Sequence, residues 1–194
     1  TNKFPDEPHF WAHLGRLYAL ELKQFDKAII AIDRGIGLLP NDHVLYHMRG
    51  MASRSSVYWS IEQKKEFNEV LDKAKDASEA FGKARELDPV DEHGYISETQ
   101  MITRVLEYLS KVKNQPAVLA VANYDDDWLR EAFQSAEDLL DQVRKIRIVE
   151  RQSDYELRCR ADLNVLYGKH QYALQTWDNL LTRDGSKGSP KVYA

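Results

Sequence analysis

The chain offers a single cysteine, Cys159. Without a second thiol it cannot form an internal disulfide, which agrees with a reducing compartment and makes a cytoplasmic setting the default expectation. No apolar run reaches the eighteen or more residues of a membrane helix, and the N-terminus lacks the basic-then-apolar pattern of a signal peptide. Neither sign of charge prevails, with 27 basic against 31 acidic residues. Net charge therefore supplies no general attraction to nucleic acid or to an anionic membrane, and an electrostatic partner must be recognised locally. The order of a phosphate loop is missing even from the glycine-containing tail GSKGS, and Cys159 has no evident histidine partner. The expectation is a non-enzyme that needs no cofactor.

What the chain does have is periodicity. Hydrophobic residues make up 43% of it, enough for a continuous core. Trp11, Leu14, Gly15, Tyr18 and Leu22 recur at the three-and-four spacing of one helical face. Phe25, Ala28, Ile29, Ile32, Ile36 and Leu39 repeat the pattern on a second helix, which Pro40 ends. Gly15 allows two helices to cross closely, and Asn41 and Asp42 can cap the helix that follows.

These residues resemble a tetratricopeptide repeat, whose Trp, Leu-Gly, Tyr, Ala and Pro positions are matched by Trp11, Leu14-Gly15, Tyr18, Ala28 and Pro40. The turn around LELKQ departs from the family by one extra residue. A second copy places Tyr46 and Gly50 at the aromatic and glycine positions and closes with Ala77, Phe81, Ala84 and Pro89. It carries roughly 15 residues beyond the family length of about 34. Because Phe67, Val70, Leu71, Ala74, Ser78 and Phe81 stay on one face, the extra length is read as longer helices, giving a protruding antiparallel hairpin. A partial third copy uses Tyr95, Thr99 and Ile102, with Val105, Leu106, Leu109 and Val112 continuing its stripe. Asp125 to Asp127 can cap a long helix carrying Leu129, Ala132, Phe133, Ala136, Leu140, Val143 and Ile146, and Gly168, Ala173 and Trp177 mark a last pair.

The resemblance implies an all-α fold: a right-handed α-solenoid of antiparallel helix pairs, with an extended second hairpin and irregular C-terminal helices. The expected organisation is a single domain over residues 1–184, with repeats at about 8–42, 43–91 and 92–124 and further helices at 125–184. Residues 185–194 are expected to form a linker or tail.

Three clusters invite chemistry. His9 with His13 and His43 with His47 lie at the i, i+4 spacing that can bind zinc, but no glutamate sits as in an HExxH protease, and groove lining or capping is the simpler reading. No metal site is expected. Tyr124 to Asp127 could present carboxylates to a cation, yet helix capping accounts for them. Arg144, Arg147, Arg151 and Arg158 would share a face on a continuing helix and could bind phosphate. Glu137, Asp138, Asp141 and Glu150 neutralise much of that stripe, so nucleic acid is the disfavoured partner.

The family presents the first helix of each pair on a concave surface. Carried onto this sequence, that surface holds His9, Ala12, Arg16 and Ala19, then Val44, His47, Met51 and Arg54. The partner implied is a protein or peptide, acidic or carboxylate-ended, with one hydrophobic anchor. The lysine and asparagine clamp of chaperone-binding relatives is replaced by Ala12, Arg16 and Met48. The layout of one well-matched repeat, a stretched hairpin and irregular pairs is also similar to the C-terminal sensor region of STAND-type signalling NTPases, including antiviral ones. That resemblance implies a sensor or protein-interaction module of a larger chain; a purely structural spacer is the alternative. Oligomeric state is not set by the sequence.

Overall fold

A computed structural model describes residues 6–146 and 154–184, and the described residues form nine helices and no strand. They are α1 Pro8–Leu20, α2 Phe25–Leu38, α3 His43–Glu62, α4 Phe67–Leu87, α5 Glu92–Lys113, α6 Ala117–Ala122, α7 Asp127–Ile146, α8 Asp154–Leu166 and α9 His170–Asp184. The array is TPR-like and all-α. Each first helix lies against its own partner and against the next first helix: α1 on α2 and α3, then α3 on α4 and α5. Past α5 the stacking becomes irregular, because α6 is short and both α7 and α8 pack on α5.

The turns explain why the pairs repeat. Within each pair a left-handed residue reverses the chain: Lys23, Lys64, Asn114 and Gly168, with φ of 54°, 53°, 51° and 72°. In the last three pairs an amide closes the turn on the carbonyl five residues back, Lys65 on Ser60, Gln115 on Ser110 and Lys169 on Asn164. In the first the bond runs from Gln24 to Tyr18, six residues back. The extra residue expected around LELKQ is therefore present relative to the other turns of the same chain.

Between the first pairs, Leu39-Pro40-Asn41-Asp42 and Asp88-Pro89-Val90-Asp91 make the same connection. The residue before each proline is extended, with φ of −140° at both Leu39 and Asp88, which stops the helix. The aspartate then caps the next helix: Asp42 accepts from the Val44 and Leu45 amides at 2.8 and 3.2 Å, and Asp91 from the His93 amide at 3.1 Å.

Packing between α1 and α2 depends on small residues. A β-carbon at Gly15 would stand 2.4 Å from Ile32 Cγ1 and 2.8 Å from the Ala28 carbonyl oxygen, so only glycine fits. The same close approach recurs between α3 and α4, where a β-carbon at Gly50 would meet the Phe81 ring at 2.6 Å. The deepest residues of α1 are Ala12, Gly15 and Ala19, while Trp11 and Tyr18 are half-buried. Trp11 instead takes the Arg34 guanidinium 4.1 Å above its ring.

Two sequence expectations change here. The second hairpin is long, but it does not protrude. Its far end is buried, with Val57, Phe67 and Val70 at 0 to 5% exposure, because Phe67 packs on Tyr108 and Tyr124 and the Tyr108 hydroxyl donates to the Lys65 carbonyl at 2.6 Å. The arginine stripe does not lie on one continuing helix either. Arg160 meets Asp141 at 2.9 Å, so α8 runs back along α7, and Arg144 and Arg158 belong to different helices. Arg147 and Arg151 lie outside the described residues.

Candidate binding face

Counting from each N-cap organises the inner surface. The caps of α1, α3 and α5 are Glu7, Asp42 and Asp91. Five residues on stand Ala12, His47 and Ile96; nine on, Arg16, Met51 and Gln100; twelve on, Ala19, Arg54 and Thr103. Helical spacing puts these side by side along one strip of the array.

At one end of the strip is an apolar pocket of roughly 150 Å³, lined by Arg16, Ala19, Leu20, His47, Met48, Met51 and Ala52. Of the proposed partner-binding residues, Arg16, His47 and Met51 thus converge. Ala12 is buried and does not line this pocket. Val44 is exposed but outside the pocket, and His9 is directed to Asp42, with Nε2 3.4 Å from the carboxylate. Arg54 is held in the middle of the strip, donating to Gln100 Oε1 at 2.8 Å and lying 5.5 Å over the Tyr58 ring.

The far end is polar. Tyr58, Gln100, Thr103, Arg104, Glu107, Cys159 and Asp162 line a second hollow of about 230 Å³. Burial raises Asp162 to about 6, helped by the nearby Glu107 charge. Burial also pushes the Cys159 thiol up to about 12, so it stays protonated at neutral pH and is a poor nucleophile. Sequence reasoning missed this end because it traced the groove through two repeats only. Carrying the same count onto α5 would have found Gln100 and Thr103; Asp162 and Cys159 arrive from α8 and carry no repeat signal.

The histidines do not gather around one point. His43 Nε2 lies 3.6 Å from Asp88 and 3.9 Å from Asp91, and His93 Nδ1 lies 2.6 Å from Asp91. The His9–Asp42 and His43 contacts tie a first helix to the capping turn of the next pair, whereas His93 meets the cap of its own helix. His47 is enclosed between the Phe81 and His93 rings, at centroid distances of 5.8 and 6.0 Å, with Nε2 3.3 Å from Ser97 Oγ. Burial lowers its pKa to about 4, so the ring is neutral at physiological pH. Among the described residues no group of three or more metal-ligating side chains comes together. Of the acidic run after Tyr124, Asp126 serves as a cap, accepting from the Leu129 amide at 3.0 Å and binding Lys75 Nζ at 2.6 Å.

A larger hollow, about 630 Å³, lies between α2 and α4. Both of its cations are already paired: Arg49 binds Asp33 at 3.0 Å and Asp76 at 2.8 Å, and Lys83 binds Glu86 at 2.8 Å. The inner strip is the better candidate because Arg16 stands exposed beside an apolar cavity.

Comparison with known proteins adds little. No family model and no curated protein matches the chain. Among solved structures it is similar to the human IFIT1 dimer with PPP-AAAA, at 12% identity, and to the human IFIT1 dimer with m7Gppp-AAAA, at 15% identity. Both have a TM-score of 0.43 and cover 92% of this chain and 48% of the other. The chain thus spans about half the length of the solved chains it matches. At that score the likeness fixes neither the path of the helices nor a ligand. No helix among the described residues is long and apolar enough to cross a membrane.

Proposed function

We propose that the chain is a binding module, not an enzyme, and that its inner face receives a protein segment with one apolar anchor beside an acidic group. One observation carries the reading: Arg16 stands at the rim of the apolar pocket made by Leu20, Met48 and Met51. The pocket has room for a single aliphatic side chain, and the guanidinium is placed to pair with a neighbouring carboxylate. Arg54 continues the basic character along the strip, while at its far end Arg104 and Glu107 pair with each other at 3.0 Å and leave Asp162 to oppose an acidic residue there. A bound segment is therefore oriented, acidic near Arg16 and basic near Asp162. The same reading extends to a sensor role within a larger signalling NTPase, which a phosphate loop elsewhere in a longer chain would support.

Selection from a random peptide library, followed by anisotropy titration of the enriched sequences, tests this. The expected winners pair a Leu, Ile or Met with an adjacent Asp or Glu, and Arg16→Glu with Leu20→Arg weakens them at least about tenfold. Binders that ignore both substitutions would overturn the reading. Salt-sensitive binding of single-stranded RNA that depends on Arg144 and Arg158 would put a nucleic-acid scaffold in its place.

A further inference from the structure

The sulfur atoms of the chain are unequally placed. It has three methionines, Met48, Met51 and Met101, and one cysteine, Cys159. Met101 is enclosed in the large core, at 0% exposure, and Cys159 is buried at 4%. Cys159 is also held as the thiol, because burial pushes its pKa up to about 12, and a thiol reacts with peroxide far more slowly than a thiolate. Met48 and Met51 are the two that solvent reaches: both are half-buried, and both line the apolar pocket with Arg16 and Leu20. They stand three residues apart on α3, so they share one face of that helix.

That placement joins reactivity to the property the pocket depends on, its lack of polarity. A thioether is flexible and apolar and suits a cavity that accepts aliphatic side chains; its sulfoxide is polar and larger by one oxygen atom. The pocket measures roughly 150 Å³, so an oxygen added to each methionine takes up space and sets a polar atom where an aliphatic group would rest. Arg16 lines the same pocket, and a sulfoxide oxygen is an acceptor that its guanidinium can bond in place of a partner's carboxylate. One chemical change thus weakens both halves of the recognition, the apolar anchor and the ion pair.

We propose that Met48 and Met51 are a paired oxidation site through which hydrogen peroxide closes the pocket to its anchor, which rests on the reading that this pocket receives an aliphatic side chain. In each step a sulfur lone pair attacks one oxygen of the peroxide. The O–O bond breaks as the S–O bond forms, the sulfur is oxidised by two electrons, and the other oxygen leaves as water with both protons. A methionine sulfoxide reductase reverses the change, the oxygen leaving as water while two thiols are oxidised to a disulfide.

The test uses the full chain and N-acetyl-leucine, which carries one aliphatic side chain and one carboxylate. After brief exposure to hydrogen peroxide, peptide mass mapping is expected to find the added oxygen on Met48 and Met51 with Met101 and Cys159 unchanged, whereas in urea Met101 is oxidised as well. Affinity for N-acetyl-leucine, read by saturation transfer to its methyl protons, is expected to fall at least about tenfold on oxidation and to return after treatment with the reductase, with far-UV circular dichroism unchanged throughout. In Met48→Leu with Met51→Leu, the ratio of affinities before and after peroxide is expected to be near one. Oxidation of Met101 or Cys159 alongside the pair would overturn the proposal, as would a doubly oxidised chain that binds like the parent or loses its helices. So would a loss that the reductase does not reverse, or a peroxide effect that persists in the double variant. Failure of the untreated chain to take up N-acetyl-leucine is a separate result: it appears before any peroxide and sinks the binding reading, and this proposal with it.

Discussion

The α1–α2 pair and the block from α3 to α8 differ in what fills their cores. The first packs by the absence of side chains: its buried positions are Ala12, Gly15, Ala19, Ala28, Ala31, Ile32 and Gly35, and its cluster is small. The second packs by volume, around Phe81, Met101, Leu106, Leu109, Leu140 and Leu163, and also buries polar groups that find partners. Glu98 is enclosed with Arg85 and accepts from Ser78 Oγ at 2.7 Å. Glu156 lies fully buried with Arg160 Nη2 3.4 Å away. Close helix approach makes one region intolerant of added atoms; dense filling makes the other intolerant of lost ones.

That contrast is open to attack, beginning with the largest expected effect. Leu140→Ala in the large core, fully buried in the native chain, should cost about 2–5 kcal/mol, read as a lower denaturant midpoint at unchanged slope. Gly15→Ala adds one methyl where the small core has no room, and should cost about 1–3 kcal/mol. If the glycine variant matches the parent, the close-approach account of α1–α2 fails.

A third test compares the two ends of the inner strip by pH. His47 titrates at about 4 in the fold against 6.5 when free, so the unfolded chain holds the extra proton between those values. Its contribution is complete above about pH 6.5 and is lost as the pH falls toward 4. Asp162 does the reverse. Its pKa rises from 3.8 to about 6, so its contribution is complete below 3.8 and is lost as the pH climbs through 6. Each slope is at most about 1.4 kcal/mol per pH unit, and in the parent they oppose one another between pH 4 and 6. Relative to the parent, His47→Asn should therefore become less stable as the pH rises through that window, and Asp162→Asn more stable, in urea titrations at stepped pH. The smallest effect is expected at Gly37, where a β-carbon meets nothing within 4 Å. Gly37→Ala should raise stability by about 0.5–1 kcal/mol, the opposite sign to Gly15 in the neighbouring helix.

Much of this was readable in the chain. The three-and-four spacing gave the helices, Pro40 and Pro89 their stops, and the stretched second copy its length, since each is a local property of consecutive residues. Of the concave set expected from the sequence, Arg16, His47 and Met51 line one pocket. Ala12 lies outside that pocket, and a small residue looks alike in sequence whether it lines a groove or lies under a neighbouring helix. The sequence gives no sign of Asp162 and Cys159, which reach the strip only because α8 doubles back along α7.

By itself, then, the order of amino acids determined periodicity, turns and caps, which depend on a residue and its neighbours within about two helical turns. Only the tertiary structure decided which faces are covered. Burial depends on where distant helices land: the second hairpin is enclosed because Tyr108 and Tyr124 reach its tip, the arginine stripe is split because α8 turns back, and Leu17 and Leu174 are exposed because no described helix covers them.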